Sequence, residues 1–460
     1  MEPTDLAFAG LEHHAELIRS GSVSSVELTD LYLERIERID PKLNAYRVVF
    51  AERARAEAAQ ADARARGGDT RPLLGVPIAL KDDIEVAGEI TAHGTGAVEA
   101  PEREDAEVVR RLRQAGAVIL GKTNVPELTI TPFTETPTWG ITRNPWDLQR
   151  TPGGSSGGTA AAVAAGLCSA ALGSDGAGSI RIPAGCCGLF GLKPQRGRTP
   201  VAPKSSPWNG MAIWGPLARR VADSARFYDA IRDGGGSFAE AAGREPGRLR
   251  IAISRKLPPG AVGGPDAEQL GALEGTADLL RSLGHEVADR ELDYGLAGIN
   301  VVTRYLRGVH DEGVKFEHPE RFARRTRGYV RMGGLIPRSA LNRAIAAAEA
   351  DGARIDQVFR DGYDAVLTPM FTRRPLRVME YEGRSALYTL NGTMRWVPYC
   401  GAFNHTGQPA AAVPAGFTGD GFPLSVQLVG PPDGEGVLLS LAAQLERGRD
   451  WPAHRPAVAG

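Results

Sequence analysis

The sequence predicts an α/β fold, on three observations. Amphipathic helical stretches alternate with short apolar runs of strand length over most of the chain. With 460 residues and 42% hydrophobic content, the chain can bury at least one substantial core. No internal repeat, low-complexity stretch or clear boundary divides it, so one large domain over residues 1–460 is expected.

The elements follow in order. Ser24 and Glu27 form a capping box ahead of Leu28, Leu31, Tyr32, Ile36 and Ile39, which recur at helical spacing. Asp40-Pro41 is expected to end that helix. Ala51 to Arg66 reads as a second helix, stopped by Gly67-Gly68. Leu73 to Leu80 is an apolar run expected as a buried strand, with Lys81 at its end. A helix over Asp105 to Gln114 then feeds a strand over Ala117 to Leu120. Between Pro145 and Pro200 glycine and serine dominate and regular periodicity fades. Asp233 to Gly247 is polar and glycine-rich, a surface loop leading into a strand over Leu249 to Ser254. The stretch from about 264 to 362 is helical in pattern, and Asp364–Pro369, Ala410–Pro414 and Leu424–Val429 read as further core strands.

Bulk properties narrow the function classes. Net charge is −1, from 54 basic and 55 acidic residues, so no global field recruits nucleic acid or an anionic membrane. The N-terminus lacks a basic region followed by an apolar stretch, and the longest weakly polar run, Ala160 to Leu172, is too short to span a bilayer. A cytoplasmic location is expected. Four cysteines (Cys168, Cys186, Cys187, Cys400) are too few and scattered for a disulfide framework, and the adjacent pair has no CxxC partner. They are expected to be buried thiols. No histidine spacing suits a metal; neither metal nor cofactor is expected.

Three elements carry chemistry. One is Thr151-Pro-Gly-Gly-Ser155-Ser156-Gly-Gly-Thr159 before an alanine-rich helix former; another is Gly173-Ser-Asp-Gly-Ala-Gly-Ser179-Ile-Arg-Ile-Pro183; the third is Lys81. Successive N–H groups in a glycine-rich turn can converge on an anion. The amides of Gly176, Ala177, Gly178 and Ser179 could thus face a developing oxyanion while Ser179 attacks the same carbon. A serine needs a base, and a lysine serves if burial keeps it neutral. Lys81 at the end of an apolar strand suits that role. Strand alternation turns Asp82 to the opposite side; Asp83, a carboxylate that would raise the lysine pKa, is left without an account.

These residues resemble the amidase signature family. The match runs from about Gly153 to Pro194, through Gly-Gly-Ser-Ser-Gly-Gly, Gly-Ser-Ile-Arg-Ile-Pro and Cys-Gly-Leu-Phe-Gly-Leu-Lys-Pro. Weaker similarity covers Gly75–Asp82, Gly121–Glu127, Asn144–Trp146, Gly215–Arg219 and Gly407–Ala410. The resemblance implies a central mixed β-sheet covered by helices on both faces and a catalytic core over about 70–220 and 364–446. From its position in the sequence, the helical stretch over about 264–362 is expected to pack over the site as a variable, specificity-setting region. It also implies a Ser–cis-Ser–Lys triad: Ser179 as nucleophile, Ser155 as bridging serine after a cis peptide, Lys81 as base. One departure is Ala177-Gly178 before the nucleophile, where the family usually has Gly-Gly. The implied activity is that of a stand-alone amidase acting on a small-molecule carboxamide, anilide or carbamate through a seryl acyl-enzyme, with a homodimer left open. The alternative is the glutamine-hydrolysing subunit of a tRNA-dependent amidotransferase, although nothing in the chain suggests a tRNA-binding tail.

Other motifs are weaker. Gly116 to Thr123 has the letters of a P-loop, but its four variable residues are themselves the expected strand. Gly153-Gly-Ser155-Ser-Gly157 has the letters of a nucleophile elbow, which would need His285, His310, His318, His405 or His454 as base and leaves the second Gly-Ser block unexplained. Arg321, Arg324, Arg325, Arg327 and Arg331 read as a solvated helix face. Trp208, Trp214, Tyr388, Trp396 and Tyr399 suit either a pocket or the core.

Overall fold

The computed structural model describes all 460 residues. The capping box forms: Ser24 Oγ accepts from Glu27 N–H at 3.0 Å, and Ser24 N–H donates to Glu27 Oε2 at 2.7 Å. Its helix does not stop at Asp40-Pro41 but runs from Ser25 to Leu43. Pro41 falls in the last turn, where it removes little ladder, and Asp40 builds the exit. Its carbonyl accepts from Asn44 N–H and its carboxylate from Ala45 N–H, both at 2.7 Å. The second helix spans Ala51–Arg66 as expected. The next begins at Glu107, because Asp105 turns its carboxylate to Ala87 N–H and Arg113 instead.

The strands are β1 (Tyr46–Val49), β2 (Pro77–Lys81), β3 (Val118–Thr123), the short hairpin pair β4 (Glu135–Thr136) and β5 (Gly140–Ile141), β6 (Ala171–Asp175), β7 (Gly191–Lys193), β8 (Ile213–Leu217), β9 (Arg250–Ile253), β10 (Glu286–Asp289), β11 (Ala365–Pro369), β12 (Ala410–Phe417) and β13 (Pro423–Val429). One sheet segment has the order β1-β3-β2-β6-β8, the other β10-β9-β11-β13-β12-β7. Phe190 and Ala218, which adjoin β7 and β8, exchange N–H···O bonds of 3.0 and 3.2 Å and join the two segments into one mixed sheet. Helices flank it: Gly157–Ala164 packs on β2, β3 and β6, Ala267–Ser282 on β11 to β13, and Glu435–Arg449 on β12.

β2, β3, β9, β11, β12 and β13 sit where apolar runs were read. β6 went unread because its residues, Ala-Leu-Gly-Ser-Asp, look polar although all five are buried. β10 went unread because it is a sheet edge with an exposed, polar face. β2 lies between β3 and β6 and is parallel to both. The C-terminal ends of β2 and β6, Lys81 and Asp175, therefore emerge on the same side of the sheet, where open α/β sheets place their sites.

The stretch read as helical from about 264 to 362 divides in two. Helix Ala267–Ser282 belongs to the main core, packed on the sheet. Helices Arg324–Gly334 and Arg338–Ile355 both pack on helix Ala297–Gly313 beyond it. All four cysteines are free and buried, and no helix is long and apolar enough to cross a membrane.

Candidate active site

Lys81 closes β2 with its side chain fully buried, at 0% exposure. Its Nζ lies 2.7 Å from Ser155 Oγ and 2.7 Å from Ser174 Oγ. Burial pulls the ammonium pKa below its ordinary value, against the opposing pull of the Asp83 carboxylate. Strand alternation does turn Asp82 away: it pairs with Arg47 at 2.5 Å and Lys122 at 2.9 Å. Asp83, two residues on, returns to the side of the lysine, with Oδ2 at 3.3 Å from Lys81 Nζ and accepting from Ser174 Oγ at 2.6 Å.

Ser155 follows a cis peptide bond to Gly154. A side chain at Gly154 would meet Thr131 O at 2.6 Å and Phe133 N at 2.7 Å, so only glycine fits between those backbones. Ser156 Oγ donates to Ser174 O at 3.3 Å. Thr134 Oγ1 donates to Gly153 O at 2.9 Å, anchoring the other side of the turn.

Ser179 sits in the turn between β6 and the short helix Arg181–Cys186. The turn is organised by Asp175, which accepts from Gly178 N–H at 2.6 Å, Ile180 N–H at 3.1 Å and Arg181 Nε at 3.0 Å. Asn404 Nδ2 adds a bond of 2.8 Å. Burial alone would push the Asp175 carboxyl up, but the Arg181 guanidinium beside it holds it well below the usual carboxylate range. Arg181 is itself bound by Gln427 Oε1 at 2.8 Å and Asn404 Oδ1 at 2.5 Å. This pair was not read from the sequence; an acidic and a basic residue six apart across a glycine turn were its only trace.

The oxyanion expectation needs a correction here. Gly178 N–H is committed to Asp175 Oδ1 at 2.6 Å and is not free to receive an oxyanion. The N–H groups of Gly176, Ala177 and Ser179 have no acceptor within the protein.

Ser155, Ser174, Gly176, Ala177, Ser179 and Asp83 all border one pocket of about 220 Å³. Its far walls are mainly apolar and come from helix Ala297–Gly313 (Val301, Val302, Tyr305), from Phe316, and from Met394 on helix Ala386–Trp396. Trp208 and Trp214 reach it. Tyr388 is exposed, Trp396 stacks on Phe371 in the core, and Tyr399 is buried with its hydroxyl on Arg255 O. The competing motifs resolve too. Gly116–Thr123 is largely β3, and its Lys122 is held by Asp82 and Thr91. None of the five histidines needed by an elbow borders the pocket. His93, which does, is held neutral by burial, its pKa pulled down to about 3. Of the arginine cluster, Arg325 turns partly inward, 5.0 Å over the Phe133 ring, while Arg321 pairs with Glu99 at 2.6 Å on the exposed surface.

A buried lysine hydrogen-bonded to a serine on the wall of an apolar pocket, at the carboxyl ends of parallel strands, defines a site equipped for serine-based acyl transfer. The chain belongs to the amidase family, whose model matches residues 27–439. It is 50% identical over 462 residues, covering 100% of both chains, to a Mycobacterium tuberculosis (strain H37Rv) protein that bears the name amidase AmiB2. It is 34% identical over 488 residues to the 6-aminohexanoate-cyclic-dimer hydrolase of Paenarthrobacter ureafaciens, covering 96% of this chain and 95% of that one. The solved structure of a 6-aminohexanoate cyclic dimer hydrolase complexed with substrate superposes with a TM-score of 0.89 and 31% identity, over 99% of this chain and 100% of that one. The chain is accordingly a stand-alone hydrolase of amide-type C–N bonds.

Proposed function

We propose that this amidase hydrolyses small carboxamides, anilides or carbamates with an apolar body, through an acyl-enzyme on Ser179. Neutral Lys81 takes the Ser155 hydroxyl proton as Ser155 takes that of Ser179, and Ser179 Oγ bonds to the substrate carbonyl carbon. The carbonyl π pair moves to oxygen, where the N–H groups of Gly176, Ala177 and Ser179 receive it. The C–N bond then breaks as the proton returns along the same path to the leaving nitrogen, and water releases the acid.

The observation that carries this reading is the 2.7 Å contact of a fully buried Lys81 Nζ with Ser155 Oγ, with Ser155 and Ser179 both on the wall of one pocket. Burial favours the neutral amine that a base requires. Largely apolar walls suit an aliphatic or aryl substrate body better than the charged amino-acid head of glutamine, which disfavours the amidotransferase reading. The amide substrate of the Paenarthrobacter relative is in keeping with it. Four buried free thiols suit a reducing, cytoplasmic compartment.

The test is a hydrolysis screen of the purified chain across aliphatic amides, anilides and urethanes, alongside a fluorophosphonate label. Turnover without added subunits, with the label on Ser179 and lost in Ser179→Ala, supports the reading. Labelling elsewhere, or hydrolysis of glutamine alone and only with a partner, overturns it.

A further inference from the structure

We infer that Asp83 is a positioning residue for the general base: through Ser174 it directs the Lys81 lone pair at Ser155, and its charge balances the lysinium formed during attack. This rests on the proposed role of Lys81 as base.

The inference follows from counting protons around three atoms. Ser174 Oγ carries a single hydrogen, and that hydrogen is donated to Asp83 Oδ2 at 2.6 Å. Ser174 Oγ can therefore meet Lys81 Nζ, 2.7 Å away, only as an acceptor. A neutral lysine amine has two N–H bonds and one lone pair. One N–H goes to Ser174 Oγ; Asp83 Oδ2 at 3.3 Å and Ser174 O at 3.4 Å lie on hand for the other. The remaining neighbour is Ser155 Oγ at 2.7 Å, and the lone pair is left to face it. Without the carboxylate, Ser174 is free to rotate and donate its own proton to the lysine lone pair, which competes with Ser155 and stalls the relay.

Charge works in the same direction. When Ser179 attacks, the relayed proton converts Lys81 to an ammonium in a site with no exposure to solvent. A lone buried cation is costly, and Asp83 is the carboxylate at hand. Asp82 cannot serve, since Arg47 and Lys122 hold it on the other side of the strand. Asp175 acts on Lys81 from the end of β6 but is spent on Arg181. Two further groups face Asp83. Lys204, from the loop after β7, donates to Asp83 O at 2.8 Å, and His93 is half-buried and neutral. Burial alone would raise the Asp83 carboxyl, but Lys81 whenever it is protonated, the Lys204 ammonium and the Ser174 hydroxyl hold it below its ordinary value. Asp83 thus limits how far burial lowers the basicity of Lys81, so the amine stays basic enough to take a serine proton.

The test is Asp83→Asn, read by the pH dependence of inactivation by a fluorophosphonate, which reports the base in the free enzyme without an amide substrate. With the carboxylate charge gone, Lys81 loses its proton more easily, so the acidic limb of the profile moves to lower pH by about one unit or more. The plateau rate falls about 10- to 100-fold, because the base is weaker and misdirected. An unmoved limb with a plateau within about two-fold of the parent overturns the inference, as does a raised KM with unchanged kcat on a model anilide, which would make Asp83 a substrate contact. If Asp83→Asn does not accumulate folded, Ser174→Ala is read in its place. It removes the bridge and keeps the carboxylate, so a plateau loss of about ten-fold or more is expected, and an unchanged rate overturns the inference. Lys81→Ala in parallel separates the two readings: if it keeps the parent rate, the base assignment itself fails. If it is inactive while Asp83→Asn behaves as the parent, only the role of Asp83 falls.

Discussion

Replacing Arg181 by methionine tests whether the nucleophile turn is held by charge. Arg181 and Asp175 are both fully buried and meet at 3.0 Å. Removing the guanidinium leaves a buried carboxylate with only N–H and amide donors (Gly178, Ile180, Asn404). Breaking a buried pair in this way costs about 3–5 kcal/mol. The pH dependence gives the sharper readout. In the parent the folded Asp175 pKa lies below its unfolded value of about 3.9, so its stabilising contribution is present above that pH and is lost as pH falls further. In Arg181→Met the guanidinium no longer opposes burial, only Asn404 and Lys193 among the side chains still do, and the folded pKa should rise above the unfolded one. The variant should therefore be most destabilised near pH 7–8 and less so near pH 4.5, where Asp175 can fold protonated. Urea unfolding of both proteins at the two pH values measures this difference. The companion Asp175→Asn/Arg181→Met should recover part of the loss, since no buried charge remains. A destabilisation below about 1 kcal/mol, or one equal at both pH values, refutes the reasoning.

Other perturbations have equally definite outcomes. Ser179→Ala should lower kcat by a factor on the order of 10⁶ with folding intact, as loss of a nucleophile does elsewhere; substantial residual turnover of a model anilide would assign the nucleophile to another group. The kcat/KM profile should rise with pH as Lys81 deprotonates, with no limb owed to an imidazole; a profile flat from about pH 5 to 9 counts against a lysine base. Gly178→Ala should destabilise by about 1–3 kcal/mol, because an added methyl would stand 2.7 Å from Cys400 Cβ and Ile182 Cδ1 at a φ of +124°; a thermal melt unchanged from the parent contradicts this. Val302→Trp fills the apolar wall of the pocket and should raise KM for bulky anilides far more than for acetamide, a contrast that parallel steady-state assays detect.

Much of the fold was legible because local patterns dictated it. The Ser24–Glu27 capping box and the Ala51–Arg66 helix depend on residues within a few positions of one another. β2, β3 and β11 announce themselves as apolar runs because strands buried on both faces need no alternation. β6 did not, since its buried Gly, Ser and Asp are there for the turn and the lysine rather than for packing. The helix through Pro41 was misjudged because Asp40 carries the exit on both counts: its carbonyl keeps the ladder bond from Asn44 N–H and its carboxylate takes the Ala45 N–H.

By itself the sequence determined that two glycine-wrapped serines and one strand-end lysine are the chemically distinctive groups, since the backbone turns they need can be built from few residue types. It also determined that Asp82 faces away from Lys81, because side chains alternate along a strand. Only the tertiary structure decided that Asp83 returns to the lysine, that Asp175 takes the Gly178 N–H from the oxyanion set, and that Val302, Tyr305, Phe316 and Met394 wall the pocket. The reason is one of range. Periodicity reports that a face is buried, whereas what it is buried against is set by contacts between residues tens to hundreds of positions apart, such as Lys81 with Ser174 and Arg181 with Gln427.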